Sequence, residues 1–306
     1  MHRRIVIGTR GSRLAMCQSE LIAGALCALA PGIKTELDVI RTTGDNITDV
    51  PLAQVGGKGL FTKEIEEALL AGEIDVAVHS MKDLPTELPA GLCVGAVPKR
   101  EQPCDVLVSR EGLTLEQLHG GARVGTSSLR RAAQLRAYRA DLEVIPLRGN
   151  VDTRLRKVRD GEVDAALLAG AGLNRLGLAD EATQVLPAEI MLPAPAQGAL
   201  AIEVRENDAE LIAFLAQLDD PDSRAAVTAE RTFLAAMEGG CQVPLGALAT
   251  RHGDEVVLEA CVCSVDGATI LRCTAAAACK HPEEAGFKAA ETLREQGADA
   301  LLDTLR

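Results

Sequence analysis

The chain has 306 residues, 47% of them hydrophobic and 25% charged, with a net charge of -12 at neutral pH. That is the composition of a globular protein, and the length calls for two or three domains. With no Trp, Tyr138 as the single Tyr and an acidic balance, neither stacking platforms nor a broad basic field exists for nucleic acid, and no apolar run is long enough to cross a bilayer. A small-molecule substrate is the expected partner, with no nucleic acid and no membrane. No coiled-coil seam or large apolar helix face demands a second copy, so a monomer is expected. Met1-His2-Arg3-Arg4 leads into Ile5-Val6-Ile7, too short an apolar stretch for a secretory signal, and nine irregularly spaced cysteines suit reduced thiols. The expected location is cytoplasmic.

In chain order, the first third alternates strand and helix patterns: a strand at Arg4-Ile7, a helix over 12–29, a strand at Leu37-Ile40, a helix over 62–70 and strands at Val76-His79 and Leu92-Val97. Pro98-Lys99-Arg100-Glu101-Gln102-Pro103 reads as an interdomain connection. The rhythm then resumes with Asp105-Ser109, Arg123-Gly125, a helix from Ser128, Leu142-Pro146, a helix over 151–159 and Ala165-Leu168. Pro187, Pro193 and Pro195 precede a strand at Leu200-Val204 and a helix over 209–218, where the chain crosses again. A long helix to Met237, three strands and a last helix over 282–296 complete a small α+β domain. The expected domains are 1–98 with 199–218, then 104–193, then 221–306.

Several strand-to-helix turns carry reactive or charged groups. The run Asp75-Val76-Ala77-Val78-His79-Ser80-Met81-Lys82-Asp83-Leu84-Pro85 delivers polar groups at the end of a buried strand, where α/β sheets face their ligands. Asp83 suits acid–base work or stabilisation of a cation, and equally a turn before Pro85. Val55-Gly56-Gly57-Lys58-Gly59-Leu60-Phe61 fails the nucleotide P-loop pattern, because Leu52 and Gly59 stand where Gly and Ser or Thr are needed. It reads as a lid carrying Lys58, or as a plain glycine loop. Arg130 and Arg131 in Thr126-Ser127-Ser128-Leu129-Arg130-Arg131 oppose a helix dipole, which a bound anion would explain. Arg148 and Arg154 after the next strand, and Arg10-Gly11-Ser12 after the first, repeat the arrangement, which suits several carboxylates or phosphates, or else a solvated basic face.

Cys241 sits on the thin turn Glu238-Gly239-Gly240-Cys241-Gln242-Val243-Pro244, able to carry a thiol out of its domain. Cys261 and Cys263 share one strand face and read as core residues, with no metal expected. Two rival functions share these features: a non-enzymatic receptor for a small polyanion, and a thiol-dependent enzyme of another class.

Arg10-Gly11-Ser12, residues 55–61, His79-Ser80-Met81-Lys82-Asp83, residues 125–131, Arg148-Gly149-Asn150-Val151 and residues 238–244, in this order, resemble the motifs of the porphobilinogen deaminase family along nearly the whole chain. The resemblance implies two hinged periplasmic-binding-protein-like α/β domains plus a smaller C-terminal α+β domain. It implies an enzyme in which Cys241 holds a dipyrromethane cofactor through a thioether. On this primer four porphobilinogen units are joined head to tail with loss of ammonia, and hydrolysis releases hydroxymethylbilane for haem biosynthesis. By the same resemblance Asp83 is catalytic, Lys82, Asp83, Ser80, Ser128, Arg130, Arg131 and Arg148 hold the cofactor, and Arg10, Ser12, Gln18, Arg148, Arg154 and Arg175 meet substrate. Lys58 and Phe61 belong to the lid. Gln54 departs from the family, whose loop can carry Lys there.

Overall fold

The structure, a computed structural model, describes residues 4–46, 61–238 and 243–303. Its strands are β1 (Arg4–Thr9), β2 (Lys34–Val39), β3 (Val76–Ser80), β4 (Leu92–Ala96), β5 (Asp105–Ser109), β6 (Arg123–Gly125), β7 (Glu143–Ile145), β8 (Ala165–Ala169), β9 (Gln184–Val185), β10 (Leu200–Arg205), β11 (Leu245–His252), β12 (Glu255–Cys263) and β13 (Ile270–Ala278).

Two sheets share one plan. The first has the order β2-β1-β3-β10-β4 and the second β7-β6-β8-β5-β9. In each, three parallel strands are followed by an antiparallel one, β10 against β3 and β4, or β5 against β8 and β9. Each inserted strand comes directly after the chain has crossed from the other sheet's domain. The short apolar runs of β3, β5 and β8 are buried on both faces, as inner strands of a layered α/β domain must be.

Helical periodicity places the layers. In the first domain Ile22 and Leu26 of the helix Arg13–Leu29 pack on Val76, Val78 and Ile202, while Ile65 and Leu69 of the helix Lys63–Ala71 cover Ala77. In the second, Leu107, Val124 and Leu167 meet Leu135 on one face, and Val106, Ala166 and Leu168 meet Leu155 and Val158 on the other. Side chains one residue apart thus serve opposite layers, the period-2 rule for a strand.

The C-terminal sheet β11-β12-β13 is antiparallel throughout and lays Ala247, Leu258 and Ala260 on the helices Pro221–Ala236 and Glu283–Glu295. These two helices approach closely at Gly286, where a Cβ would stand 2.5 Å from the Ala229 carbonyl oxygen. On the sheet's other face Cys261 and Cys263 are buried with Ala133 and Leu192 of the second domain. The chain accordingly divides into two compact units, Met1–Arg100 with Ala199–Arg224, and Glu101–Gly198 with Ala225–Arg306. The second and third domains read from sequence, 104–193 and 221–306, both lie in the second unit except for residues 221–224, the start of the third, which lie with the first. Several small elements are absent from the sequence reading, among them the helices Thr43–Asn46, Gly170–Arg175 and Ala298–Asp303, and β9. Each is too short for its periodicity to register.

Candidate active site

The first unit gathers its polar groups at the carboxyl ends of β1 and β3. Ser12 caps the helix Arg13–Leu29, its side-chain oxygen accepting from the Ala15 amide, which fixes the turn bearing Arg10. The Arg10 guanidinium lies 4.1 Å from the centroid of the Phe61 ring, a cation–π contact. Gln18, buried on the same helix, donates from Nε2 to Ser80 Oγ at 3.0 Å and so ties the helix to the end of β3. After Ser80 the chain makes a single 3-10 turn, Met81–Asp83. Met81 is buried as its anchor, Lys82 is half-buried, and Asp83 is exposed. Among the described residues no hydrogen bond or ion pair engages the Asp83 carboxylate. Behind this turn, on the other face of β3, His79 Nε2 stands 3.0 Å from Glu203 Oε2 in a buried pair.

In the second unit the turns after β6 and β7 are also helix caps, with Ser128 accepting from the Arg131 amide and Asn150 Oδ1 from the Thr153 amide at 2.9 Å. The two arginines behind Ser128 are not splayed into solvent. Arg130 donates from Nη1 to Asp105 Oδ2 and to the Leu192 carbonyl, both at 2.6 Å. Arg131 reaches Asp105 Oδ1 from Nε at 2.9 Å and from Nη2 at 2.6 Å, and the Leu167 carbonyl from Nη1 at 3.0 Å. The anion that faces this helix start is therefore, in the first instance, the protein's own Asp105. That carboxylate opens β5, ahead of an unbroken apolar run, and a charge in that place was the signal available in the sequence.

Burial alone would raise the Asp105 pKa, but the two guanidiniums overcome it and hold the carboxyl well below the usual range. Two cations against one anion leave the buried cluster with a surplus positive charge. Among the described residues, three N–H groups of Arg130 and two of Arg131 remain for another acceptor, since a guanidinium carries five.

The remaining cations of this unit are more open. Arg148 is half-buried beside Gly149, and Arg154 donates from Nε to the Gly149 carbonyl at 2.8 Å. Arg175, at the end of the helix Gly170–Arg175, donates from Nη2 to the Gly198 carbonyl at 2.7 Å. Lys58, Gln54 and Cys241 lie outside the described residues. The structure thus brings Arg10, Ser12, Gln18, Ser80, Lys82, Asp83 and Phe61 into one unit and Ser128, Arg130, Arg131, Arg148, Arg154 and Arg175 into the other. Asp105 and Gln197 are the polar residues of the second group that sequence reading missed.

Fold and site define an α/β enzyme that presents cationic and acid–base groups at the ends of its strands. Residues 5–213 match the family model described as porphobilinogen deaminase, dipyromethane cofactor binding domain, and residues 224–295 that of the porphobilinogen deaminase C-terminal domain. A porphobilinogen deaminase of Desulforudis audaxviator is 54% identical over 100% of this chain and 99% of its own, and one of Pelotomaculum thermopropionicum 52% identical over 100% and 98%. Among solved structures, an ancestral cationic amino acid solute binding protein (AncCDT-1) matches 70% of this chain and 87% of its own at TM-score 0.43 and 16% identity. The chain belongs to the porphobilinogen deaminase family. Its activity is that of a hydroxymethylbilane synthase in tetrapyrrole biosynthesis, and its cofactor is dipyrromethane.

Proposed function

We propose that Asp83 is the catalytic carboxylate of this reaction, that Cys241 carries the cofactor through a thioether, and that the basic turns hold the acetate and propionate arms of cofactor and substrate. The observation that carries the reading is the contrast between two aspartates at strand ends. Asp105 is buried and fully engaged by arginines, whereas Asp83 stands exposed on a one-turn helix whose neighbours Met81 and Leu84 anchor it. A carboxylate so placed can stabilise a cation that develops as ammonia leaves and can accept the proton lost when a pyrrole carbon is substituted.

The cofactor is a small polycarboxylate, and the donor chemistry present fits it. The surplus positive charge at Arg130 and Arg131 calls for an anion, and Lys82, Ser80, Ser128 and Arg148 add an ammonium, hydroxyls and a further guanidinium. When bound, the dipyrromethane supplies the nucleophilic pyrrole carbon and stays on the enzyme as primer. Arg10, Ser12, Gln18, Arg154 and Arg175, with Arg148, orient the arms of the incoming substrate, and Phe61 and Lys58 belong to the covering loop. We further assign three domains, 1–98 with 199–218, 104–193 and 221–306, and a monomeric protein of the cytoplasm without a nucleic-acid partner. No described helix is long and apolar enough to cross a membrane.

The test is the intact mass of the denatured protein beside a Cys241→Ser variant. The mass of two linked pyrroles should be present in the first and absent in the second. With that primer in place, Asp83→Asn should lower turnover by at least about 100-fold. Normal turnover in Asp83→Asn, or a primer mass retained in Cys241→Ser, would remove the assignment.

A further inference from the structure

The residue that the activity leaves unexplained is Gln197. It is a fully buried amide in the segment between Pro193 and Gly198, immediately before the chain returns to the first unit at Ala199. Its Nε2 donates to Asp105 Oδ1 at 2.9 Å and to the Pro103 carbonyl at 2.8 Å. Pro103 belongs to the outgoing crossing, Gln197 to the returning one, and Asp105 is the counter-ion of Arg130 and Arg131. One side chain therefore fastens the arginine pair to both crossings.

The backbone under Gln197 is fixed on each side. Ala196 adopts φ 62, an uncommon conformation for a residue with a Cβ, and its N–H donates to the buried carboxylate of Glu230. Glu230 also accepts from the Ala249 amide at 2.8 Å, and the Ala247 amide donates to the Pro193 carbonyl at 2.9 Å, so β11 grips the same segment. On the other side Gly198, at φ 89, lies so close to the outgoing crossing that a Cβ would meet the Glu101 carbonyl oxygen at 2.4 Å. The Gly198 carbonyl accepts from both the Glu101 amide and Arg175. One residue further on, the Ala199 carbonyl accepts from the Met81 amide at 3.0 Å, two positions before Asp83. An amide delivered from so constrained a backbone has little freedom to follow a moving partner; it sets where the partner stands.

We propose that Gln197 is a positioning residue: by holding Asp105 it holds Arg130 and Arg131 at one station relative to the crossings, so that the carboxylates bound there keep the acceptor carbon in line. This rests on the reading that Arg130 and Arg131 hold cofactor carboxylates. Misplacement of a reacting group by a fraction of an ångström acts on the chemical step more than on binding. Loss of the Gln197 amide should therefore lower kcat while leaving the surplus charge, and with it anion affinity, in place.

The experiment compares wild type with Gln197→Met, which keeps the volume and removes the donor. Both are isolated as holoenzyme and followed by intact mass, by thermal unfolding and by steady-state kinetics with porphobilinogen. The expected result is a retained primer mass, kcat lowered roughly 10-fold and KM changed less than about 3-fold. If Gln197→Met does not fold, Gln197→Asn, which keeps the amide but shortens its reach, should show the same split. Unchanged kcat in a folded, primed variant would overturn the proposal, as would a fall in activity that only follows the folded fraction. A variant lacking the primer would overturn it too, by assigning Gln197 to primer assembly instead. The underlying reading is tested separately by Arg130→Gln: a primer mass and KM equal to wild type there would sink the arginine assignment whatever Gln197→Met does.

Discussion

Two buried carboxylates show how neighbours decide what the same functional group contributes. Asp105 has two guanidiniums and an amide around it, and removing its charge leaves two cations facing each other out of water. Asp105→Asn should cost about 3–5 kcal/mol, read as a lowered denaturation midpoint. Glu66, on the helix Lys63–Ala71, is buried with Oε1 unpartnered among the described residues. Burial first, and then the charge of Glu203, push its pKa up. Glu66→Gln should thus stabilise the protein at neutral pH by on the order of 1 kcal/mol, and a loss of stability would show that the ionised form is wanted. The site cations were legible in the sequence because arginines in the first turn of a helix contradict its dipole. What they touch was not, since Asp105 meets Arg130 across 25 residues of chain and Gln197 in turn meets Asp105 across 92.

At the scale of elements, the strand-to-helix turns serve twice, ending a helix's exposed N–H groups and presenting a cation. Asn150→Ala removes the cap of the helix Val151–Arg159 and should cost about 1 kcal/mol, with KM for porphobilinogen rising as Arg154 loses its fixed turn. Stability and KM can be measured on one preparation, and a change in stability alone would detach Arg154 from substrate. The strands and long helices were readable because buried runs and 3.6-residue periodicity reach beyond four or five residues. Their ends were less so: β2 begins at Lys34 rather than Leu37, since Lys34 and Glu36 are exposed and polar and give no apolar alternation, while the pairing with β1 is made by the backbone ladder and by the Arg4–Glu36 ion pair. The inserted position of β10 and β5 could not be read from periodicity at all, because a strand's neighbours are set by the whole domain.

Over the whole molecule, acid stability should carry the mark of Asp105. Its folded pKa lies below its unfolded one, so the folded state binds that proton less readily. The stability it confers is complete above the ordinary aspartate range near about 4 and is lost as pH falls through it towards the folded value. Acid unfolding of wild type should therefore be steeper below about pH 4 than that of Asp105→Asn, and equal slopes would mean the carboxyl is not held ionised.

The place of β10 between β3 and β4 bears on the order in which the protein comes off the ribosome. The amino-terminal domain is begun first but finished second. When residue 100 has emerged, β3 and β4 are present with the slot between them vacant, and the strand that fills it is another hundred residues away. The second sheet, by contrast, has all its strands by residue 185. A ribosome stalled in the interval holds a domain with two open strand edges, and chaperone binding should be concentrated on nascent chains of those lengths.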